Sequence, residues 1–171
     1  MKRLTISIAA AAAAMLLSGC SNSVPPWRQA AWPVDTFDVA YLARAACYGA
    51  CPVYEVEVFG DGRVRYTGEA FVKTTGVRET RIDARSVAQL ATAVRAARFD
   101  TMRSGYQDEA DGCAPVPTDM PSLTIAVKRD GRTQSVNYYF GCRGPDIPSA
   151  RIVSLAGAID QLAGTAALVG Q

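Results

Sequence analysis

Cysteine offers the widest range of chemistry in this chain: it occurs five times among 171 residues, whereas histidine does not occur. A thiol can form a disulfide, take part in thiol–disulfide exchange, bind a metal ion or carry lipid. The lack of histidine excludes Ser-His-Asp and Cys-His nucleophile systems, histidine-containing zinc sites and imidazole acid–base catalysis. With no other catalytic constellation in the sequence, we predict that the protein is not an enzyme and has no catalytic residue, no bound metal and no cofactor.

The first cysteine, Cys20, ends a secretory signal. Two basic residues precede an apolar run, Leu4 to Leu17, that is shorter than the roughly 18 to 20 residues of a membrane-spanning helix. Residues 17–20, LSGC, resemble a bacterial lipobox, which implies that Cys20 becomes the lipidated first residue of the mature protein. Acyl chains such as palmitate would then hold the protein on a membrane that it does not span.

The residue after the lipobox cysteine bears on the location in the cell envelope. In Gram-negative lipoproteins an aspartate at this position usually signals retention in the inner membrane. This chain has Ser21 there, so the resemblance implies a lipid-anchored protein of the outer membrane that faces the periplasm.

The chain divides into four segments by composition. We predict a lipoprotein signal peptide at 1–19, a proline-containing tether at 20–37, one α+β domain at 38–163 and a C-terminal tail at 164–171. The whole chain has 18 basic and 16 acidic residues, and removal of the two basic residues of the signal leaves 16 of each. A neutral domain has no electrostatic footprint for nucleic acid, so we predict no nucleic-acid partner.

Four cysteines remain after Cys20, an even number in an exported and therefore oxidising context, and they predict two disulfides. Three connectivities are possible. Cys47 and Cys51 flank a turn-sized segment, and Cys113 and Cys142 lie on either side of a predicted hairpin. We therefore favour the pairs Cys47–Cys51 and Cys113–Cys142.

A redox role for Cys47 and Cys51 is the alternative to a structural disulfide. A catalytic dithiol needs a thiolate that is stabilised by a helix N-terminus, a cation or C-x-x-C geometry. The spacing here is one residue longer than that motif, Arg44 is the only nearby cation, and Pro52 leads into a predicted strand. These features favour the structural disulfide.

Two hairpins must position these cysteines. Apolar and polar residues alternate on both sides of each predicted turn. A three-residue turn that ends at a left-handed Gly62 pairs Val58 with Val64 in the first hairpin. In the second hairpin a two-residue turn pairs Ile125 with Val136.

The two hairpins also resemble each other in sequence. Alignment places Asp61 on Asp130 and Arg63 on Arg132, with matching apolar positions before the turns. This similarity suggests an internal repeat, with chance similarity between hairpins as the alternative.

Two helices and two further strands complete the predicted fold. Asp83 is the predicted N-cap of the first helix, and the second runs from Pro148 to a stop at Gly164. The further strands are predicted around Val39–Arg44 and Val77–Ile82. The order β-β-β-β-α-β-β-α predicts an α+β fold: an antiparallel sheet of two β-hairpin-plus-helix units, with both helices on one face.

Residues 44–54, RAACYGACPVY, followed by the alternating strand and its turn, resemble the bacterial domain-of-unknown-function family 6438, whose signature is C-x-G-x-C-P-x-Y. Later landmarks, among them the helix end at 159–160, extend the resemblance over roughly residues 38–163. Besides the two cysteines, the signature residues of this chain are Tyr48, Gly49, Pro52 and Tyr54. The resemblance implies no activity, because none is established for the family.

Two sets of acidic residues could have a catalytic or a calcium-binding role, but the sequence favours a simpler role for each set. Glu55 and Glu57 share a strand face, as paired carboxylates of a glycoside hydrolase would, but each has an arginine candidate on the opposite strand. The acidic residues of 108–112, with Asp119, lack the D-x-D-x-D-G spacing of a calcium loop, so we predict a solvated loop.

Together these observations predict a lipid-anchored, non-catalytic binding or structural module of the cell envelope. Its expected partners are the membrane, through the lipid anchor, and an envelope protein or the cell wall. The alternatives are a thiol–disulfide redox protein that uses Cys47 and Cys51, and a small-ligand-binding domain with its ligand between the sheet and the loop 100–120.

Overall fold

The computed structural model describes residues 36–170 of the chain. The predicted signal peptide, the lipidation site Cys20 and nearly all of the tether lie outside the described residues. Within the described part, no helix is both long enough and apolar enough to cross a membrane. The helices and strands are β1 (Val39–Arg44), β2 (Val53–Phe59), β3 (Arg63–Ala70), β4 (Gly76–Arg81), α1 (Ala84–Ala96), β5 (Gly105–Tyr106), β6 (Ser122–Arg129), β7 (Arg132–Tyr139), α2 (Ser149–Ala163) and α3 (Ala166–Val169).

Seven strands form one sheet in the order β4-β3-β2-β1-β6-β7-β5. Neighbouring strands are antiparallel except β5, which runs parallel to β7. The sheet is therefore mixed, and the prediction of a purely antiparallel sheet is wrong. The predicted element order is also wrong, because it lacks β5 and α3. A strand of two residues contains no alternation to detect, and β5 forms only through its pairing with β7.

Strand β1 lies at the centre of the sheet because it pairs with both hairpins. Leu42 of β1 is opposite Val56 of β2 on one side and Ile125 of β6 on the other. All three side chains are completely buried. The central strand thus joins the two hairpins into one continuous apolar face.

Both predicted hairpin registers are confirmed. Val58 pairs with Val64 in the first hairpin, where Gly62 has a φ of +85°. Ile125 pairs with Val136 in the second hairpin. The apolar alternation fixes these registers, since a slip of one residue would turn every buried side chain of a strand to the opposite face.

Helices α1 and α2 cover one face of the sheet. The Asp83 side chain accepts a 2.7 Å hydrogen bond from the backbone N–H of Ser86 and so caps α1 as predicted. Helix α2 begins after Pro148 and ends before the left-handed Gly164. The helical residues that complete the core with the sheet are Val87, Leu90, Ala91, Val94, Ile152, Leu155, Ala156, Ile159 and Ala163.

The loop 100–120 is attached to the sheet and to itself. Met102 and Tyr106 are buried, and a disulfide joins Cys113 to Cys142, with 5.0 Å between their Cα atoms. The Asp108 carboxylate caps a short 3₁₀ turn, and the Asp111 carboxylate accepts a 2.7 Å hydrogen bond from a backbone N–H of the same loop. Both carboxylates therefore stabilise the loop itself.

The two edges of the sheet differ in length and exposure. At one edge, all six residues of β4 are exposed. At the other edge, β5 contains two residues. The loop between β3 and β4 is held by α3, because the backbone N–H groups of Lys73 and Thr74 donate to the carbonyls of Val169 and Leu168 at 3.0 and 2.9 Å.

We predict that the Cys113–Cys142 disulfide stabilises the fold more than the Cys47–Cys51 disulfide. Their sequence separations are 29 and 4 residues, and the chain-entropy model gives about 3 to 4 kcal/mol for the longer loop and about 2 kcal/mol for the shorter. Chemical denaturation of the C113A/C142A and C47A/C51A variants measures both losses. A larger loss in C47A/C51A would contradict the prediction.

Candidate functional site

The residues of the signature lie where β1 leads into β2. A disulfide joins Cys47 to Cys51, with 5.7 Å between their Cα atoms, so both disulfides have the connectivity favoured from the sequence. Inside this loop, Gly49 has a φ of +145°, which side chains of L-residues rarely adopt, and its N–H donates to the carbonyl of Cys47 at 2.9 Å. Pro52, which has no N–H, precedes the first residue of β2. The sequence pattern thus builds a short closed loop.

The aromatic residue of this loop points into solvent. The side chain of Tyr48 is 89% exposed, the highest value among the large hydrophobic residues that the structure describes as exposed. The backbone N–H of Tyr48 donates to the carbonyl of Asp119 at 3.4 Å, and the next residue, Met120, is 39% exposed. Tyr48 and Met120 therefore lie at the same end of the sheet, a surface that we call the loop-end surface.

A second segment of the loop-end surface is fixed by Tyr139. Its hydroxyl accepts a 3.0 Å hydrogen bond from the backbone N–H of Met120 and donates to the carbonyl of Pro117. Tyr139 belongs to β7, so the sheet itself holds the segment that carries Met120. The exposed residues of this surface thus rest on backbone that is held in place.

Beneath the loop, the Asp160 carboxylate binds three side chains. Arg44 donates to one carboxylate oxygen from Nε at 3.0 Å and from Nη2 at 2.6 Å. The other oxygen accepts hydrogen bonds from the hydroxyl of Tyr54 at 2.7 Å and from Oγ1 of Thr165 at 2.8 Å. This Asp160 network connects the end of β1, the start of β2 and the end of α2.

The Asp160 network is mostly shielded from water. The side chains of Arg44 and Asp160 are 28% and 19% exposed, and Tyr54 is buried. Burial by itself lowers the pKa of the Arg44 guanidinium, but the charge of Asp160 and the hydrogen bonds to it outweigh burial and raise that pKa above its usual value. Burial, followed by the charge of Asp160 and the hydrogen bond to it, raises the pKa of Tyr54 to about 12.

The ring of Tyr54 packs against a second buried tyrosine. Its ring centroid lies 5.6 Å from that of Tyr66, with the two planes tilted by 33°. The Tyr66 hydroxyl is buried and has no hydrogen-bond partner among the described residues. The aromatic pair holds the Tyr54 ring, and the hydrogen bond to Asp160 orients its hydroxyl.

These contacts bear on the chemistry expected from the sequence. Arg44, the only cation expected near Cys47, has its guanidinium bound to Asp160. Within residues 36–170, no group of three or more acidic, cysteine or histidine side chains could hold a metal ion. Glu57 lies 3.9 Å from Arg65, whereas the cross-strand neighbour of Glu55 is Thr67 instead of the expected arginine.

The structure brings together every signature residue but gives them different roles. Tyr48 is exposed, Gly49 and Pro52 shape the loop, and Tyr54 joins the Asp160 network. The sequence singled out Arg44 and the helix end at Asp160, but it did not predict a contact between the two residues. No local pattern reports a contact between residues that are 116 positions apart.

We predict that the free energy of unfolding decreases from about pH 10 to about pH 12, and that the decrease is smaller in Tyr54→Phe. The unfolded chain releases the phenol proton near pH 10, whereas the folded protein keeps it until the pH approaches the raised pKa of about 12. The stabilisation is therefore complete below pH 10 and is lost as the pH rises through the folded-state pKa. Chemical denaturation across this pH range measures the decrease.

A second variant separates the charge of Asp160 from burial. Asp160→Asn removes the carboxylate charge and should lower the pKa of Tyr54. Ultraviolet titration detects the phenolate, and subtraction of the titration of the matching Tyr54→Phe protein isolates the signal of Tyr54. Equal pH dependence in the wild-type protein and Tyr54→Phe would contradict the assignment.

Comparison with known proteins places this geometry in a family. No curated protein matches the chain. The family model described as "Domain of unknown function (DUF6438)" matches residues 38–162, which include the closed loop, both hairpins and Asp160. The chain therefore belongs to the DUF6438 family.

Proposed function

We propose that this protein is a non-catalytic binding module of the cell envelope, and that it binds an envelope protein through the loop-end surface. The observation that carries the proposal is the 89% exposure of Tyr48 on a loop closed by a disulfide. Exposure of a large aromatic side chain leaves apolar area in water that a partner can cover. Tyrosine and methionine are both enriched at protein–protein interfaces.

The rigidity of the loop supports a binding role. A disulfide, the hydrogen bond from Gly49 to Cys47 and the hydrogen bond from Tyr48 to Asp119 all restrict the loop before any partner arrives. Binding to a restricted loop loses less conformational entropy than binding to a flexible one. The Asp160 network and the pair Tyr54–Tyr66 hold the strand residues below.

The chemistry of the loop supports binding over catalysis. The sequence has no histidine, and both cysteines of the loop are joined in the disulfide. The polar side chains of the Asp160 network, Arg44, Tyr54 and Thr165, are bound to one carboxylate. Side chains whose hydrogen-bonding groups are already paired with one another can stabilise the loop-end surface.

The lipobox completes the proposal. Acylation of Cys20 would place the domain on the outer membrane, where the segment 21–35 would separate it from the lipid. Several acyl chains on one residue give stable anchoring, because each buried methylene contributes about 0.8 kcal/mol. The neutral composition of the rest of the chain offers no polybasic attraction to lipid that could replace the anchor.

We predict that Tyr48→Ala weakens capture of the envelope partner about tenfold or more, because exposed aromatic residues at interface centres contribute most of the binding free energy. The measurement is crosslinking of the tagged protein in solubilised envelope, with quantitative mass spectrometry of captured proteins. Phe71→Ala is the matched control, since Phe71 is also exposed, at 60%. Equal capture by Tyr48→Ala and wild type would refute the role of this loop, and binding to isolated cell wall would change the class of partner.

We predict that Cys20→Ala moves the protein from the membrane fraction to the soluble fraction. The lipobox makes Cys20 the site of acylation, and the variant removes the acceptor sulfur. Fractionation of cells that express each protein measures the distribution, with Cys47→Ala as a control that keeps the lipobox. Unchanged membrane association of Cys20→Ala would remove the lipid anchor from the proposal.

A further inference from the structure

A cleft lined by arginines lies at the opposite end of β6 from the Asp119–Pro121 segment. It has a volume of about 850 Å³, within the usual range for small-molecule sites of about 300 to 1,000 Å³. The end of α1, the residues that follow it, and the turn between β6 and β7 form its walls. The buried side chains of Val94, Phe99 and Val127 form apolar parts of the lining.

Four arginines from separate parts of the chain line this cleft. Arg95 lies in the last turn of α1, and Arg98 follows the helix. Arg129 ends β6 and Arg132 begins β7. The acidic residues of the lining are Asp100 and Asp130, so the six charged groups sum to +2. The domain is neutral in total, whereas the formal charges of the cleft residues that the structure describes are not balanced.

Two of the arginines face each other directly. Arg129 and Arg132 are register partners across the β6–β7 turn, and like charges opposite one another in an antiparallel pair are destabilising. Neither guanidinium forms an ion pair with a carboxylate among residues 36–170. The strand pairing therefore holds two positive charges together without a neutralising group from the described chain.

Asp61, in the turn between β2 and β3, binds two arginines that face each other across the β3–β4 pair. Arg63 and Arg81 are also opposite each other, but Asp61 binds both: its carboxylate accepts from Nε of Arg63 at 2.8 Å, and its carbonyl accepts from Nη2 of Arg81 at 3.0 Å. Asp130 is equivalent to Asp61 in the hairpin alignment. It forms no ion pair with Arg132 in the described part of the chain.

Two further observations point to a missing partner. The Nε atom of Arg129 is buried and has no hydrogen-bond partner among the described residues, although a buried charged donor normally has one. Arg98 has a φ of +51°, a conformation in which glycine would be less strained at this helix end. Backbone strain of this kind is concentrated at functional sites.

We propose that this arginine cleft binds a phosphate-bearing small molecule with an apolar organic group. Guanidinium groups bind phosphate through paired, charge-assisted hydrogen bonds. A phosphomonoester carries close to two negative charges at neutral pH, which would balance the two facing charges of Arg129 and Arg132. The apolar residues Val94, Phe99 and Val127 would contact the organic group.

The cleft and the loop-end surface are separate sites, so this inference goes beyond the proposed function. Tyr48 and Met120 take no part in the cleft lining. Loss of phosphate binding would leave partner capture by Tyr48 intact, and loss of partner capture would leave phosphate binding intact. Failure of one proposal is therefore distinguishable from failure of the other.

Titration calorimetry of the full chain with phenyl phosphate and with inorganic pyrophosphate tests the proposal. Wild type should bind each probe saturably with one site, and Arg132→Gln should weaken binding about tenfold or more, because a hydrogen bond to a charged group is lost. Arg63→Gln is the matched control, since Arg63 occupies the equivalent position of the first hairpin and should leave the affinity unchanged. Lack of saturable binding by wild type, or equal loss in Arg63→Gln, would overturn the proposal.

Arg98→Gly separates a binding role from a structural role. The substitution removes one guanidinium and relieves the positive φ, so the melting temperature of the unliganded protein should stay the same or rise by a few degrees. Binding of phenyl phosphate should nevertheless weaken about tenfold or more. Unchanged binding by Arg98→Gly would remove Arg98 from the site, and a lower melting temperature would show that its side chain serves the fold.

A vesicle arm distinguishes a soluble phosphate from a lipid headgroup. The full chain with Cys20→Ala is mixed with phosphatidylcholine vesicles that contain or lack phosphatidic acid, and sedimentation measures the bound fraction. Binding that requires phosphatidic acid and is lost in Arg132→Gln identifies a lipid headgroup as the source of the phosphate. Binding of phenyl phosphate without binding to either vesicle identifies a soluble ligand.

Discussion

The Asp160 carboxylate is the contact on which the position of the Cys47–Cys51 loop depends. It accepts hydrogen bonds from Arg44, Tyr54 and Thr165, which come from three separate segments of the chain. The disulfide loop lies between Arg44 and Tyr54 in sequence, so the same carboxylate holds the two strands that enter and leave it. Partly buried ion pairs contribute little net stability compared with well-packed apolar residues. We infer that the main effect of this network is to fix the position of the loop.

Local patterns predicted the parts of the fold that depend on neighbours in sequence. Alternation and turn residues gave the register of Val58 with Val64 and of Ile125 with Val136, because a slip would expose the core face. The closed loop could also be predicted, since Cys47 and Cys51 are four residues apart. Strand β5 could not be predicted, because its two residues become a strand only by pairing with β7.

The sites that escaped prediction are built from residues distant in sequence. Arg44 and Asp160 are 116 positions apart, and only the packing of α2 beside β1 and β2 brings them together. The arginines of the cleft come from the end of one helix and from both sides of a turn more than 30 residues later. Equal totals of acidic and basic residues therefore do not describe how charge is distributed over the surface. The fold concentrates positive charge in one cleft while the composition stays balanced.

The exposed edge strand β4 and the two-residue strand β5 limit how other proteins can contact this domain. A long, flat, apolar edge attracts strand addition from other chains and promotes aggregation. Here one edge carries the charged residues Arg78, Glu79 and Arg81, and the other offers backbone groups over only two residues. The charged side chains disfavour strand addition at one edge, and the short length limits it at the other. Many copies at high local concentration would therefore resist fusion of their sheets into a continuous fibre.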